Sequence, residues 1–286
     1  MKYKLIAHRL GFKMGEYEEN SKKALEDIFD NYDKLNICDG FEFDIRFTKD
    51  SIPILFHDKN TRDFSEELRN IKNMNLIELK KLKLNYRNQE RENVEKICTL
   101  EDILDFFHVN EHKLNNKIIK IETKNKYLSK KEVSILCKIL NKHKNIQKNI
   151  INLSFYPNNL VKINKFQGKN NLYINKTDLL CDYKFVYYTT KFIKCIDTVS
   201  LRFTDNNKLG IKYYISSKFK NKKVSFKKII RIKLNKKLIL NVNKKYDEVN
   251  IYTINSKEDC IKLLKLCSNL NLYVTTDNPL ELRNDI

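Results

Sequence analysis

Apolar and polar positions alternate with two different periods along this chain. In FEFDI, residues 41–45, Phe41, Phe43 and Ile45 share one face of an extended strand, and Glu42 and Asp44 share the other. After Asn20, read as an N-cap, Ala24, Leu25, Ile28, Phe29, Tyr32 and Leu35 recur at helical spacing; Leu100, Ile103, Leu104 and Phe107 do the same after Thr99. A third helix is predicted from about Lys130 to Lys144, with Val133, Leu136, Cys137 and Leu140 on its apolar face. Candidate strands are Leu5–His8, Phe41–Ile45, Ile52–His57, Ile118–Thr123, Ile150–Phe155, Leu172–Ile174, Thr198–Phe203, Asn250–Ile254 and Leu272–Thr276.

These nine strand candidates are one more than an α/β barrel of the (β/α)8, or TIM, type requires. Only Arg46 to Ser51 separate Ile45 from Ile52, too few residues for a parallel crossover, so this pair is a hairpin and Ile52–His57 is its return arm. Eight strands remain, mostly followed by helices or long connections. The expectation is therefore a TIM barrel with an extra hairpin arm after strand 2, built as a single domain over residues 1–286, because no repeat, low-complexity block or Pro/Gly linker divides the chain. A turn near Lys49 and Asp50 pairs residues whose numbers sum to about 99, which returns His57 beside Glu42.

Composition adds a strong charge bias, with 56 Lys and Arg against 36 Asp and Glu and a net charge of +20. Lys and Asn abound from end to end, which accounts for most of it. Residues 206–246, however, hold 14 basic and no acidic side chains, and this stretch is a candidate for peripheral contact with an anionic membrane. The charge is not accompanied by a zinc-finger, helix-turn-helix or RNP-like motif, so specific nucleic-acid binding is not expected. Seven scattered cysteines without a CxxC pair read as reduced thiols, and no apolar run is long enough for a signal peptide or a membrane span; a cytoplasmic protein is expected.

The candidate chemistry gathers at predicted strand ends. Two carboxylates on one strand face, Glu42 and Asp44, are costly to bury unless a cation or donors compensate them. In IIKIETK, Lys120, Glu122 and Lys124 share a face, and Glu122 supplies a third carboxylate; three carboxylate ligands suit Mg²⁺ or Ca²⁺ better than zinc. His8 and His57 close two strands as a pair of imidazoles able to move protons near neutrality, and Arg9 and Lys124 offer positive charge to a phosphate. Ser154, Phe155 and Asn255 are placed at strand ends facing the pocket. Asp277 reads as structural, and His108 with His112 as a solvated helix end rather than a zinc site.

IAHRLG, EENSKKAL and FEFDIRFTKDSIPILFHD together resemble the opening of the glycerophosphodiester phosphodiesterases, and TLEDIL, IKIETK, INLSF, IYTIN and YVTTDNP follow in the family's order, so the resemblance spans residues 5–279. It implies a metal-dependent phosphodiesterase barrel. His8 and His57 would be its acid/base pair, Glu42, Asp44 and Glu122 its metal ligands, Arg9 and Lys124 its phosphate-binding groups, and a small glycerophosphodiester its substrate. A related activity, a phospholipase D-like lyase that turns lysolipids or sphingolipids into a cyclic phosphate, is the alternative. Leu10 stands where the family has glycine, Ser51 where it has a turn glycine, and Tyr252, in the substrate pocket, where the family usually has the Trp that helps shape it, which bears on substrate choice rather than on the chemistry.

Overall fold

A computed structural model of the chain describes residues 3–15, 17–62, 68–82, 96–181, 195–202, 208–212, 229–233, 248–266 and 271–284. The strands are β1 (Tyr3–Ala7), β2 (Gly40–Phe47), β3 (Pro53–Leu55), β4 (Ile118–Thr123), β5 (Ile150–Ser154), β6 (Lys176–Cys181), β7 (Thr198–Arg202), β8 (Lys208–Lys212), β9 (Ile229–Lys233), β10 (Glu248–Tyr252) and β11 (Asn271–Thr276). The helices are α1 (Lys22–Asp30), α2 (Tyr32–Ile37), α3 (Leu76–Lys80), α4 (Leu100–Val109), α5 (Glu111–Leu114), α6 (Lys130–Lys142), α7 (Pro157–Lys169), α8 (Lys257–Leu266) and α9 (Pro279–Asn284).

Eight parallel strands run in the order β1-β11-β10-β7-β6-β5-β4-β2, and pairing of β1 with β2 closes them into a barrel. The antiparallel β3 bonds to β2 outside that ring, as the short 46–51 connection requires. β8 and β9 pair with each other in a separate two-stranded ribbon. No described helix is long and apolar enough to cross a membrane.

Alternation along each strand decides what faces in and out. Phe41, Phe43, Ile45 and Phe47 point outward into a core shared with Phe29 of α1 and Phe107 of α4, and all four are fully buried. Leu5, Val249, Ile251, Leu272 and Val274 do the same on the other side of the ring. Inside, Ile6, Ile118, Ile151, Leu153, Leu180 and Tyr273 fill part of the barrel. The remainder is polar. Lys120 Nζ, 1% exposed, lies 2.8 Å from Asp178 Oδ2, which also accepts from Ser200 Oγ at 2.8 Å. Asn250 Nδ2 donates to Ser200 Oγ (2.9 Å) and Thr275 Oγ1 donates to Asn250 Oδ1 (3.0 Å), so one hydrogen-bonded chain crosses the barrel beneath its C-terminal mouth.

Four local expectations are corrected. Leu172–Ile174 is an irregular segment with Tyr173 and Ile174 exposed; the sixth barrel strand is Lys176–Cys181, whose polar Asp178 joins the interior chain. The hairpin pairs Ile45 with Leu55 and Phe47 with Pro53, a sum of 100, one residue from the predicted register. The first helical stretch breaks at Asn31, which caps α2 while Ser21, not Asn20, caps α1. The third helix stops at Lys142, two residues short of the predicted end.

Candidate active site

Every side chain that the sequence reading placed in the catalytic, metal or phosphate group comes from the C-terminal end of β1, β2, β4 or the segment after β3. His8 follows directly on β1, where the chain turns through three consecutive left-handed residues, Arg9 (φ 49°), Leu10 (φ 62°) and Gly11 (φ 70°). Gly11 suits its place, because a Cβ there would lie 2.7 Å from Ile28 Cδ1. Leu10 adopts the backbone form that glycine takes freely; the cost of about 1–2 kcal/mol is offset by complete burial of its side chain in the outer core. Ser51 likewise turns the hairpin with φ 69°.

This turn aims His8 across the mouth. Its Nδ1 donates to Asp277 Oδ1 at 2.6 Å, which leaves Nε2 facing the carboxylates, 3.6 Å from Glu42 Oε2. Asp277 is itself fixed: its Oδ2 accepts from Asn255 Nδ2 (2.7 Å), and its backbone N–H donates to Asn255 Oδ1 (2.9 Å). Burial would raise the Asp277 carboxyl, but hydrogen bonds from His8 and Asn255 hold it at about 2. On the hairpin side, His57 Nδ1 lies 2.7 Å from Asp58 Oδ1, and Arg46 Nε holds the His57 carbonyl at 2.8 Å. Burial lowers His57 to about 4 against the opposing charge of Asp44, so its imidazole is neutral at pH 7.

Glu42, Asp44 and Glu122 present one oxygen each within 4.8 Å of one another, all three buried. Asp44 is clamped by Asn20, whose Nδ2 donates to Asp44 Oδ2 (3.1 Å) and whose Oδ1 accepts from the Asp44 N–H (2.9 Å). Asn20 reaches it from a left-handed turn residue (φ 59°) held by its own N–H on the Arg9 carbonyl. Lys124 Nζ sits 2.8 Å from Glu122 Oε1 and 3.1 Å from Asp44 Oδ1, an ion pair with both. Arg9 donates its backbone N–H to Glu42 Oε2 (3.1 Å) and turns its guanidinium onto Glu19 and toward Asp44.

Charge is nevertheless out of balance here. Burial, reinforced by Asp44 and Glu122, pushes the Glu42 carboxyl well above the usual carboxylate range. Burial raises Glu122 to about 7 although Lys124 opposes it. Burial would also raise Asp44, yet Lys124 and Arg9 hold it below the usual range. Glu42 Oε1 is buried without a hydrogen-bond partner. An unpartnered buried oxygen within a set of three hard carboxylate donors fits an oxygen-liganded divalent cation, and the donor chemistry suits Mg²⁺ or Ca²⁺.

The pocket residues fall differently. Tyr252 stands at the mouth end of β10, its ring edge-on to Phe155 at 6.3 Å between centroids. Ser154 is fully buried and spent on structure: its Oγ donates to the Thr123 carbonyl (3.1 Å) and accepts from the Tyr156 N–H (3.1 Å). Its neighbour Phe155 takes the inward position, with Lys124 Nζ 5.8 Å from its ring centroid. His108 and His112 lie on α4 and α5, apart from this cluster. Most of the 206–246 stretch lies outside the described residues.

Sequence reasoning missed Glu19 and Asn20 as members of the site. It read Asp277 as structural without seeing its hydrogen bond to His8. EENS and TTDNP were visible as motifs, but the partners they serve are joined only by barrel closure, 269 residues apart in the case of His8 and Asp277.

Among curated proteins none matches the chain. Solved structures share the fold over nearly the whole of both chains. A phosphodiesterase from Oleispira antarctica, determined with the product sn-glycerol-3-phosphate, is 17% identical with a TM-score of 0.72, covering 98% of this chain and 95% of that one. The glycerophosphodiester phosphodiesterase of Parabacteroides distasonis is 17% identical (TM-score 0.66, 99% and 95% covered), and that of Thermotoga maritima 19% identical (TM-score 0.64, 98% and 96% covered). The family model for the glycerophosphoryl diester phosphodiesterase family matches residues 37–279. With that match across most of its length, and with the family's fold, the chain belongs to the glycerophosphoryl diester phosphodiesterases, a family of phosphoric diester hydrolases.

Proposed function

We propose that the protein hydrolyses small glycerophosphodiesters to an alcohol and glycerol phosphate, with His8 and His57 moving the protons and Glu42, Asp44 and Glu122 holding one Mg²⁺ or Ca²⁺. The observation that carries this reading is the approach of His8 Nε2 to 3.6 Å from Glu42, one of the three clustered carboxylates, at the C-terminal face where barrel enzymes place their chemistry. A divalent cation bound there would supply Lewis-acid stabilisation of the phosphoryl oxygens.

The protein's own groups divide the remaining work. His57, held neutral by burial, accepts the proton of the attacking water as its oxygen bonds to phosphorus. His8, with Nδ1 anchored on Asp277, presents Nε2 to the departing oxygen and delivers a proton to it as the phosphorus–oxygen bond breaks. Lys124 and Arg9 offset negative charge on the carboxylates and on the incoming diester.

The test is hydrolysis of glycerophosphocholine by purified protein with Mg²⁺ or Ca²⁺, with products identified. Metal-dependent release of choline and glycerol phosphate, abolished in His8→Ala and Glu42→Ala, is expected. Equal turnover by those variants refutes the assignment, and a cyclic phosphate product would establish the lyase chemistry instead.

A further inference from the structure

Beside the carboxylate cluster lies a cavity of about 230 Å³, with room for roughly seven or eight waters' worth of ligand. Arg46, Lys59, Lys72, Lys124 and Lys126 line it, and no acidic side chain does among the described residues. It is joined to the catalytic groups through its own walls. Lys124 pairs with Asp44 and Glu122, while Arg46 holds the His57 carbonyl with Nε and reaches the Lys124 carbonyl with a second nitrogen at 3.5 Å.

Some of this positive charge is balanced from outside. Lys72 Nζ lies 3.7 Å from Glu132 Oε1. Among the described residues, Lys59 and Lys126 have no carboxylate within ion-pair distance. Asn125, 8% exposed, adds a directed donor: its Oδ1 is fixed by the Phe47 N–H at 3.1 Å, so its NH₂ is the free end, without a partner among the described groups. Several cations around one hollow repel each other unless an anion with several acceptor oxygens enters, and the Asn125 NH₂ offers such an anion a further donor.

We propose that this cavity is a subsite for a second phosphate, carried on the alcohol arm of the diester. The proposal rests on the reading that phosphorus chemistry occurs at the neighbouring His8 and His57. It makes the preferred substrates diesters whose leaving alcohol bears a phosphate, as a monoester or as a further diester, over diesters with a choline or plain glycerol arm. Phe155, whose ring lies 5.8 Å from Lys124 Nζ, and Tyr252, edge-on to Phe155, do not line this cavity and are left to the uncharged glycerol arm.

The experiment compares kcat/KM for glycerophosphocholine, glycerophosphoglycerol, glycerophosphoinositol phosphate and fully deacylated cardiolipin, in the wild type and in a Lys59→Gln/Lys126→Gln variant. Neither lysine touches the catalytic groups. The wild type is expected to favour the two phosphate-bearing arms by about tenfold, 1.4 kcal/mol, and the preference should shrink at raised ionic strength. The variant should lose most of that preference while its rate on glycerophosphocholine stays within about twofold. Comparing the last two substrates tells a monoester from a diester as the recognised group. An active enzyme without the preference, or a variant slowed equally on all four, overturns the subsite. If no diester is hydrolysed, the reading of function fails separately. Calorimetric binding of glycerophosphoinositol phosphate against glycerophosphocholine then still decides the subsite, and equal affinities overturn it.

Discussion

Replacing Asp277 with Asn removes one charge and almost no volume, and the structure says what that costs. The two Asp277 oxygens accept separately, Oδ1 from His8 Nδ1 at 2.6 Å and Oδ2 from Asn255 Nδ2 at 2.7 Å. An asparagine amide has one oxygen and one NH₂. Whichever way it turns, either His8 or Asn255 faces a donor with a donor. If the amide oxygen stays with Asn255, His8 loses the contact that fixes its Nδ1 proton and aims Nε2 at the carboxylates. A hydrogen bond to a charged group contributes about 1.5–3 kcal/mol, which corresponds to roughly 10- to 150-fold in rate. Asp277→Asn is therefore expected to lower kcat on glycerophosphocholine within that range, with KM changed less than about threefold and the melting temperature close to wild type. Asp277→Ala, which frees His8 altogether, should be at least as slow. An Asp277→Asn enzyme within twofold of wild type, with an unchanged pH profile, would refute the idea that this carboxylate positions His8.

Other outcomes follow from the same coordinates. Burial raises Glu122 to about 7, so below that pH it carries a proton that a cation must displace, and the upward shift of Glu42 acts in the same direction; Mg²⁺ or Ca²⁺ affinity should rise as pH increases toward and past 7, with proton release measurable by calorimetry in two buffers. Lys120→Met leaves the buried Asp178 carboxylate without its counter-charge and should cost about 3–5 kcal/mol in chemical denaturation, whereas Lys120→Met with Asp178→Leu should recover most of it. Gly40→Ala should destabilise the barrel by about 1–3 kcal/mol, because its Cβ would stand 2.5 Å from the Ile118 carbonyl oxygen; a melting curve reads this directly.

The parts of this fold that were legible in the sequence are those where one face is wholly apolar. Phe41, Phe43 and Ile45 alternate with Glu42 and Asp44 because the outer face packs on helices and the inner face meets the site, so a period of two fixed both the strand and its chemistry. The sixth strand was hidden for the opposite reason. Lys176, Thr177 and Asp178 look like loop, and only the partners Lys120 and Ser200, contributed by other staves, make an aspartate acceptable inside the barrel. The apolar triplet at 172–174 drew the assignment four residues early.

Within the site, residues whose roles depend on their own strand were readable, and residues whose roles depend on closure were not. Ser154 and Phe155 were both assigned to the pocket because they end a strand, yet alternation puts only Phe155 on the inner face and sets Ser154 against the Thr123 carbonyl. Asn20 belongs to the site only because its left-handed turn brings its amide onto Asp44, a contact that no periodicity announces.

The central claim is that Glu42, Asp44 and Glu122 hold one divalent cation within reach of His8 and His57. Anomalous diffraction from crystals grown with Mn²⁺ tests it most directly. A single strong peak ligated by those three carboxylates, lost in Glu42→Ala along with hydrolysis, is the predicted result. No peak at that position in an enzyme that hydrolyses diesters unimpaired in chelator would contradict it.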